Sequence, residues 1–202
     1  MLRLFADEYK RPFRNITHSA CPITFTGKRN WVSKKYRDSC LKYLSAIESE
    51  ISKYETVIIG GNWGSHYKAG RKEFKQGFNR AISKISKTAA RVIVLEKAPT
   101  FKNYNQKWDA RSLRIPTIDC TDYFNVRDIQ IKANKYILKI TKKYKNVYFF
   151  SARNQLCTKG YCSPYKDGKS LYFDKSHISM VGSQKIGQMM IENNDINLRA
   201  FE

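Results

Sequence analysis

Apolar residues recur at helical spacing at Tyr36, Cys40, Leu44, Ile47 and Ile51, at Phe74, Phe78, Ile82 and Ile85, and at Val126, Ile129, Ala133, Ile137, Ile140 and Tyr144. A period near 3.6 predicts three amphipathic helices there. Between them lie short β-rich runs at 56–60, 91–95 and 146–151, nearly continuous in apolar character, as strands of a parallel sheet covered on both faces are. An opening helix near 2–10 and a closing one near 179–192 complete an alternation of helix and strand. That order belongs to a doubly wound α/β domain, a three-layer α/β/α sandwich with a mostly parallel sheet. Such a sheet needs a strand before its first crossover helix, yet the chain opens in what reads as that helix, so the first strand is expected to be missing. The stretch 97–121 keeps no period and holds Pro99 and Pro116, which makes it a long irregular connection of the kind that carries sites.

Length adds that 202 residues suit a single domain spanning 1–202. Apolar residues at 42%, aromatics at 13% and charged residues at 27% exclude a disordered or collagenous chain. The net charge of +21 draws the surface toward nucleic acid, anionic lipid headgroups or acidic polysaccharide without choosing among them. No apolar run approaches the roughly 20 residues that cross a bilayer, and the mixed-charge segment 1–11 has neither the apolar stretch nor the cleavage site of a signal peptide. The five cysteines at 21, 40, 120, 157 and 162 lack zinc-site spacing, which favours disulfides and an oxidising compartment over reduced thiols in a cytosolic protein.

Two segments carry chemistry. In Leu171-Tyr-Phe-Asp174-Lys-Ser-His177-Ile-Ser179-Met-Val-Gly182, a short apolar strand leads into Asp-x-x-His and then into a helix opened by Ser179. Spacing of three places Asp174 beside His177, so the carboxylate can hold the imidazole tautomer while the other ring nitrogen faces a nucleophile. The plainer alternative is that Asp174 and Ser179 cap local turns and His177 lies on the surface. In Val57-Ile-Ile-Gly60-Gly61-Asn62-Trp63-Gly64-Ser65-His66, a buried strand runs into glycines that let a ligand approach the backbone, then into an Asn able to donate to an oxyanion. Its alternative is a strand-ending turn with a packed Trp63. Ser65 and His66 are neighbours in sequence and point apart, so they form no dyad.

Taken in order, these segments resemble the SGNH hydrolase superfamily, and more closely the SGNH domain at the C-terminus of bacterial membrane-bound acyltransferases that O-acetylate surface polysaccharides. Asp174-x-x-His177 with Ile178, Ser179 and Gly182 looks like the family's last block, D-x-x-H-L-S-x-x-G; Gly60-Gly61-Asn62 looks like its G-x-N block, and Trp63 matches a Trp often carried there. Ser19-Ala-Cys21-Pro22 with Cys40, and Cys157-Thr-Lys-Gly-Tyr-Cys162, are similar to cysteine segments of that branch. The resemblance implies serine acyl transfer, with His177 taking the Ser proton, Asp174 orienting His177, Asn62 donating to the oxyanion, Gly61 and Trp63 touching substrate, and no cofactor or metal. It implies a carbohydrate acceptor, an acyl donor, a membrane-bound acyltransferase domain upstream, and a place on the extracytoplasmic, periplasmic side of a bacterial inner membrane.

The chain departs from the family in two respects, the first being that no Gly-Asp-Ser, the block of the nucleophile, occurs in the sequence. The family's second-block Gly has no good counterpart, Gly27 being a poor candidate, and Cys21 could replace the Ser only with an activated thiolate. The expected pairs are Cys21 with Cys40 and Cys157 with Cys162, leaving Cys120 free. Two other functions stay open: a non-catalytic carbohydrate-binding or degenerate SGNH domain, and a basic nucleic-acid-binding module. Against the last, the basic residues are spread over every helix and form no recognisable stripe, so no specific nucleic-acid partner is expected.

Overall fold

The apolar run at 91–95 is the middle strand of the sheet. In the computed structural model, which describes residues 2–8, 10, 12–25, 30–101, 104, 107, 114, 128–158 and 161–192, β1 (Thr56–Ile59), β2 (Arg91–Leu95) and β3 (Val147–Phe150) pair in the order β1-β2-β3. Both pairings are parallel, with Val57 opposite Val92 and Val92 opposite Val147. Parallel neighbours need crossover connections, and helices supply them. α3 (Trp63–Ala69) and α4 (Arg71–Thr88) lie between β1 and β2, and α5 (Asp128–Thr141) precedes β3. Val92, Ile93 and Val94 are all buried although they alternate in face, the reason the run reads as continuously apolar.

The chain divides into two compact units. One comprises residues 14–97 and 129–150, the sheet with α2 (Arg37–Glu50), α3, α4 and α5. Its core joins Ile47 of α2, Ile59, Val92 and Val147 of the sheet, Trp63 and Tyr67 of α3, Phe74, Phe78, Ile82 and Ile85 of α4, and Ala133, Ile137 and Ile140 of α5. Those of α2, α4 and α5 are positions that the 3.6 period marks. Cys21 and Cys40 form a disulfide that fastens the segment before α2 to that helix, beside Leu44. Cys21 is therefore no thiolate and cannot stand in for a serine nucleophile.

The other unit comprises residues 1–13, 98–128 and 151–202. It contains α1 (Leu2–Glu8), which packs against α7 (Met180–Glu192), the one-turn α6 (Arg153–Leu156), and two small antiparallel hairpins, β4 (Cys157–Thr158) with β5 (Tyr161–Cys162) and β6 (Tyr165–Lys166) with β7 (Lys169–Ser170). Cys157 and Cys162 are opposed in the first hairpin and disulfide-bonded. The second turns through Asp167 and Gly168, both at positive φ (50° and 70°), the backbone that Asp-Gly favours in two-residue hairpins. Buried Phe101, Tyr104, Tyr165 and Tyr172 pack edge to face beneath the segment 171–179.

The expected strand at 171–173 is reduced to a single antiparallel bridge, Tyr172 with Ile178, because the chain turns back after two residues. Of the positions named above, Gly27, Pro116, Cys120 and Val126, with most of the stretch 97–121, lie outside the described residues. No helix among the described residues is long and apolar enough to cross a membrane.

Candidate active site

The turn that carries His177 is made by Asp174. Its Oδ1 accepts the backbone N–H groups of Ser176 (2.7 Å) and His177 (2.9 Å) and the Ser176 hydroxyl (3.1 Å). The turn is closed by Phe173 N–H donating to His177 C=O at 2.8 Å. Oδ2 is left for the imidazole, whose Nδ1 lies 2.7 Å away. Both readings of this segment thus hold at once, on different oxygens: one builds the turn as a capping Asp does, and the other fixes the ring. An ionised carboxylate accepts only, so in the neutral imidazole Nδ1 carries the proton and Nε2 presents the lone pair.

Electrostatics agree with that assignment. Partial burial works to raise the Asp174 carboxyl's pKa, but hydrogen bonds from the His177 ring, the Ser176 and His177 amides and the Ser176 hydroxyl outweigh it, holding the group well below the ordinary carboxylate range. The His177 side chain is 71% exposed, so Nε2 is open to a reacting hydroxyl.

The segment is anchored from behind. Ser179 donates its N–H (2.9 Å) and its hydroxyl (3.2 Å) to Leu171 C=O, and its Oγ accepts from Gly182 N–H (2.9 Å), capping α7. A Cβ on Gly182 would stand 1.9 Å from the Leu171 carbonyl oxygen. Glycine is required there because α7 starts against the backbone that leads into Asp174. Tyr172 donates its hydroxyl to Pro99 C=O at 2.9 Å, and its deep burial pushes the phenol pKa far up, so it stays a neutral donor beneath the turn.

Asn62, Gly61 and Trp63 belong to the other unit. Asn62 is the N-cap of α3, but its side chain caps no helix amide and is exposed, leaving the amide available as a donor. Trp63 is fully buried, packs on Phe74 and Phe78, and donates Nε1–H to Leu95 C=O at 2.8 Å. This leaves no surface of the ring for a substrate: Trp63 is the packed Trp of the turn reading. Gly61 is required by the same ring, because a Cβ there would meet Trp63 at 2.9 Å. Ser65 is exposed, while His66 packs on Trp31 and Phe74, so the two do point apart.

Besides Ser176, whose Oγ lies 3.3 Å from His177 Nδ1, a serine distant in sequence touches a histidine, which sequence reasoning did not foresee. His18 Nε2 lies 3.0 Å from Ser39 Oγ, but His18 Nδ1 accepts Ala20 N–H (3.2 Å) and Ser39 donates to Tyr36 C=O (3.1 Å). The ring proton is then on Nε2 and is donated to the serine, the reverse of what a general base needs. Also unforeseen is an apolar rim on the His177 segment: Phe173 is 63% exposed and Met180 80%. The only signal available was that apolar residues stand on either side of a polar motif.

Comparison with known proteins gives the setting. Residues 1–192 match the family described as SGNH domain (fused to AT3 domains). A solved structure, the lipopolysaccharide acetyltransferase periplasmic domain of Salmonella ser. Paratyphi A, is similar in fold, with a TM-score of 0.68 and 17% identity over 96% of this chain and 77% of that one. No curated protein sequence matches.

Proposed function

The chain belongs to the family of SGNH domains fused to AT3 domains, and from that membership we propose that residues 1–202 work as one SGNH-type domain that transfers an acyl group, acetyl in the first instance, to a carbohydrate hydroxyl. The observation that carries the proposal is the 2.7 Å contact of Asp174 Oδ2 with His177 Nδ1, which in the neutral imidazole leaves the lone pair on Nε2 of an exposed side chain. Nε2 takes the proton of a serine hydroxyl as its oxygen attacks the acyl carbonyl. The donor's leaving group departs with that proton; the sugar hydroxyl then attacks the acyl-serine ester, and His177 takes its proton and returns it to the serine oxygen as the serine–acyl bond breaks. Asp174 holds the ring through both steps. Asn62 is assigned the oxyanion through its block, as a side-chain amide aimed at developing charge, with Gly61 beside it and Trp63 positioning both from the core.

The serine belongs to a Gly-Asp-Ser block that these 202 residues do not contain. An upstream acyltransferase domain in the membrane supplies the donor, and the two disulfides suit the extracytoplasmic side, where such bonds persist. The test is acetyl transfer to a glycan, and hydrolysis of an activated ester, by the polypeptide extended with a strand ending in Gly-Asp-Ser. Activity that His177→Ala abolishes supports the reading. Activity that survives the substitution refutes it, and sugar binding without turnover in the unsubstituted protein favours a carbohydrate-binding domain.

A further inference from the structure

From residue 129 to residue 147, every exposed residue is a lysine. Lys132, Lys135 and Lys139 lie on α5, three and four residues apart and so on one helical face; Lys142, Lys143 and Lys145 continue in the turn that follows. At about 1.5 Å per residue, Lys132 to Lys143 spans roughly 16 Å. The ion pairs of this unit lie elsewhere. Lys84 is paired with Glu48, Lys53 and Arg14 with Glu50, and Arg91 with Glu55. Among the described residues, no carboxylate pairs with any of the six lysines. The neighbouring helix extends the field: Tyr136 donates its hydroxyl to Lys75 C=O at 2.9 Å, and Lys75 Nζ lies 5.1 Å from the Tyr136 ring centre. Lysines that look dispersed along the sequence are gathered on one surface by the fold.

We propose that this face of α5 docks on an anionic lipid surface, laying the lysines against phospholipid headgroups. The proposal rests on the reading of the family as membrane-linked and adds a surface to it. Three features favour a bilayer over other polyanions. The stripe is convex helix surface, which a flat membrane can meet without a groove. All six cations are lysine, a point charge suited to a diffuse, fluid field, where fixed phosphate recognition favours the bidentate fork of Arg. No aromatic ring is exposed within the stripe on which a base could stack. The inner part of α5 is satisfied separately, with Ala133, Ile137 and Ile140 in the core, so the lysines are free of any packing duty.

Co-sedimentation of the 202-residue chain with vesicles tests this, comparing phosphatidylcholine alone with a phosphatidylcholine–phosphatidylglycerol mixture at low and high salt. Binding to the anionic vesicles, weakened by salt, is expected. Each lysine near such a surface contributes about fivefold to the partition, so Lys132→Gln, Lys135→Gln and Lys139→Gln together should lower it by about a hundredfold. A second triple variant, Lys34→Gln, Lys35→Gln and Lys42→Gln, removes the same charge from other exposed positions and should cost less than a tenth of that effect. No binding to anionic vesicles, or equal losses in the two variants, overturns the proposal. So does dependence on the α5 lysines with oligothymidine or dextran sulfate but not with vesicles. The assay involves no turnover, so its outcome is independent of whether His177 transfers an acyl group.

Discussion

Replacing Asp174 by Asn and by Ala separates the two duties of its carboxylate. Oδ1 holds three hydrogen bonds at 2.7, 2.9 and 3.1 Å, and Oδ2 holds one, at 2.7 Å, to His177 Nδ1. Asparagine keeps a single acceptor, and seating it at the Oδ1 position preserves the turn. Its amide nitrogen then faces Nδ1, and because two donors cannot meet, the imidazole must change tautomer, placing its proton on Nε2. The turn should survive with a loss below about 1 kcal/mol, whereas Ala removes all four bonds and should cost about 1–2 kcal/mol, the scale of a lost cap. Acyl transfer by the protein that carries the Gly-Asp-Ser strand should fall by about 10⁴ in Asp174→Asn, as when the orienting carboxylate of a triad becomes an amide. Thermal melts measure the first effect, ¹⁵N NMR of the imidazole reads the tautomer directly, and transfer assays measure the third. Transfer within tenfold of the parent in Asp174→Asn would refute the orienting role, and equal melting of the Asn and Ala variants would refute the turn role.

Gly182→Ala should destabilise the protein by more than about 2 kcal/mol in urea titration, because its Cβ at 1.9 Å from the Leu171 oxygen moves α7 by over an ångström in a packed setting; a change under about 0.5 kcal/mol contradicts the close approach. Burial lowers the His66 pKa from 6.5 to about 4, so between those values the unfolded chain binds a proton that the folded chain refuses. Stability should therefore fall as pH drops from 6.5 to about 4, by roughly 3 kcal/mol at most, and His66→Gln should flatten that slope. Asp174 acts in a lower window: its pKa is depressed on folding, so its contribution is complete above the ordinary carboxyl value of 3.8 and is lost as pH falls toward the folded value, a loss that Asp174→Asn should remove. Replacing Cys21 and Cys40 by Ser should cost about 3 kcal/mol, and replacing Cys157 and Cys162 about 2, the difference expected from closing a longer and a shorter loop; a reversed order in denaturant titration would count against that loop-entropy account.

The legible parts of this chain are those whose constraint is local or periodic. Residues 91–95 could be read as a strand of a covered parallel sheet because burial on both faces excludes every polar residue between its ends, although their central place in the sheet could not. The core positions of α2, α4 and α5 could be read because a stripe facing a sheet repeats every turn. The Asp174–His177 pair was legible for the same reason, since the turn that joins them is closed by their own backbone and side chains. Elements too short to show a period were not: α3 has seven residues and each small strand has two, although Asp167-Gly168 does announce the second hairpin.

Trp63 shows the limit most sharply. A Trp after a glycine pair at a strand end has two uses, stacking on a ligand or filling the core, and its own neighbours in sequence favour neither. The choice is made by Leu95, 32 residues away, whose carbonyl takes the indole N–H, and by Phe74 and Phe78, which enclose the ring. The α5 lysines are the converse case. Composition records their charge but not that α5 faces them all one way, with Glu48, Glu50 and Glu55 spent on other cations. In both places function depends on which side chains are left over once packing and pairing are satisfied. That remainder is a property of the folded chain, which is why the exposed Asn62 amide, the exposed His177 ring and the lysine face of α5 emerge only once the fold is known.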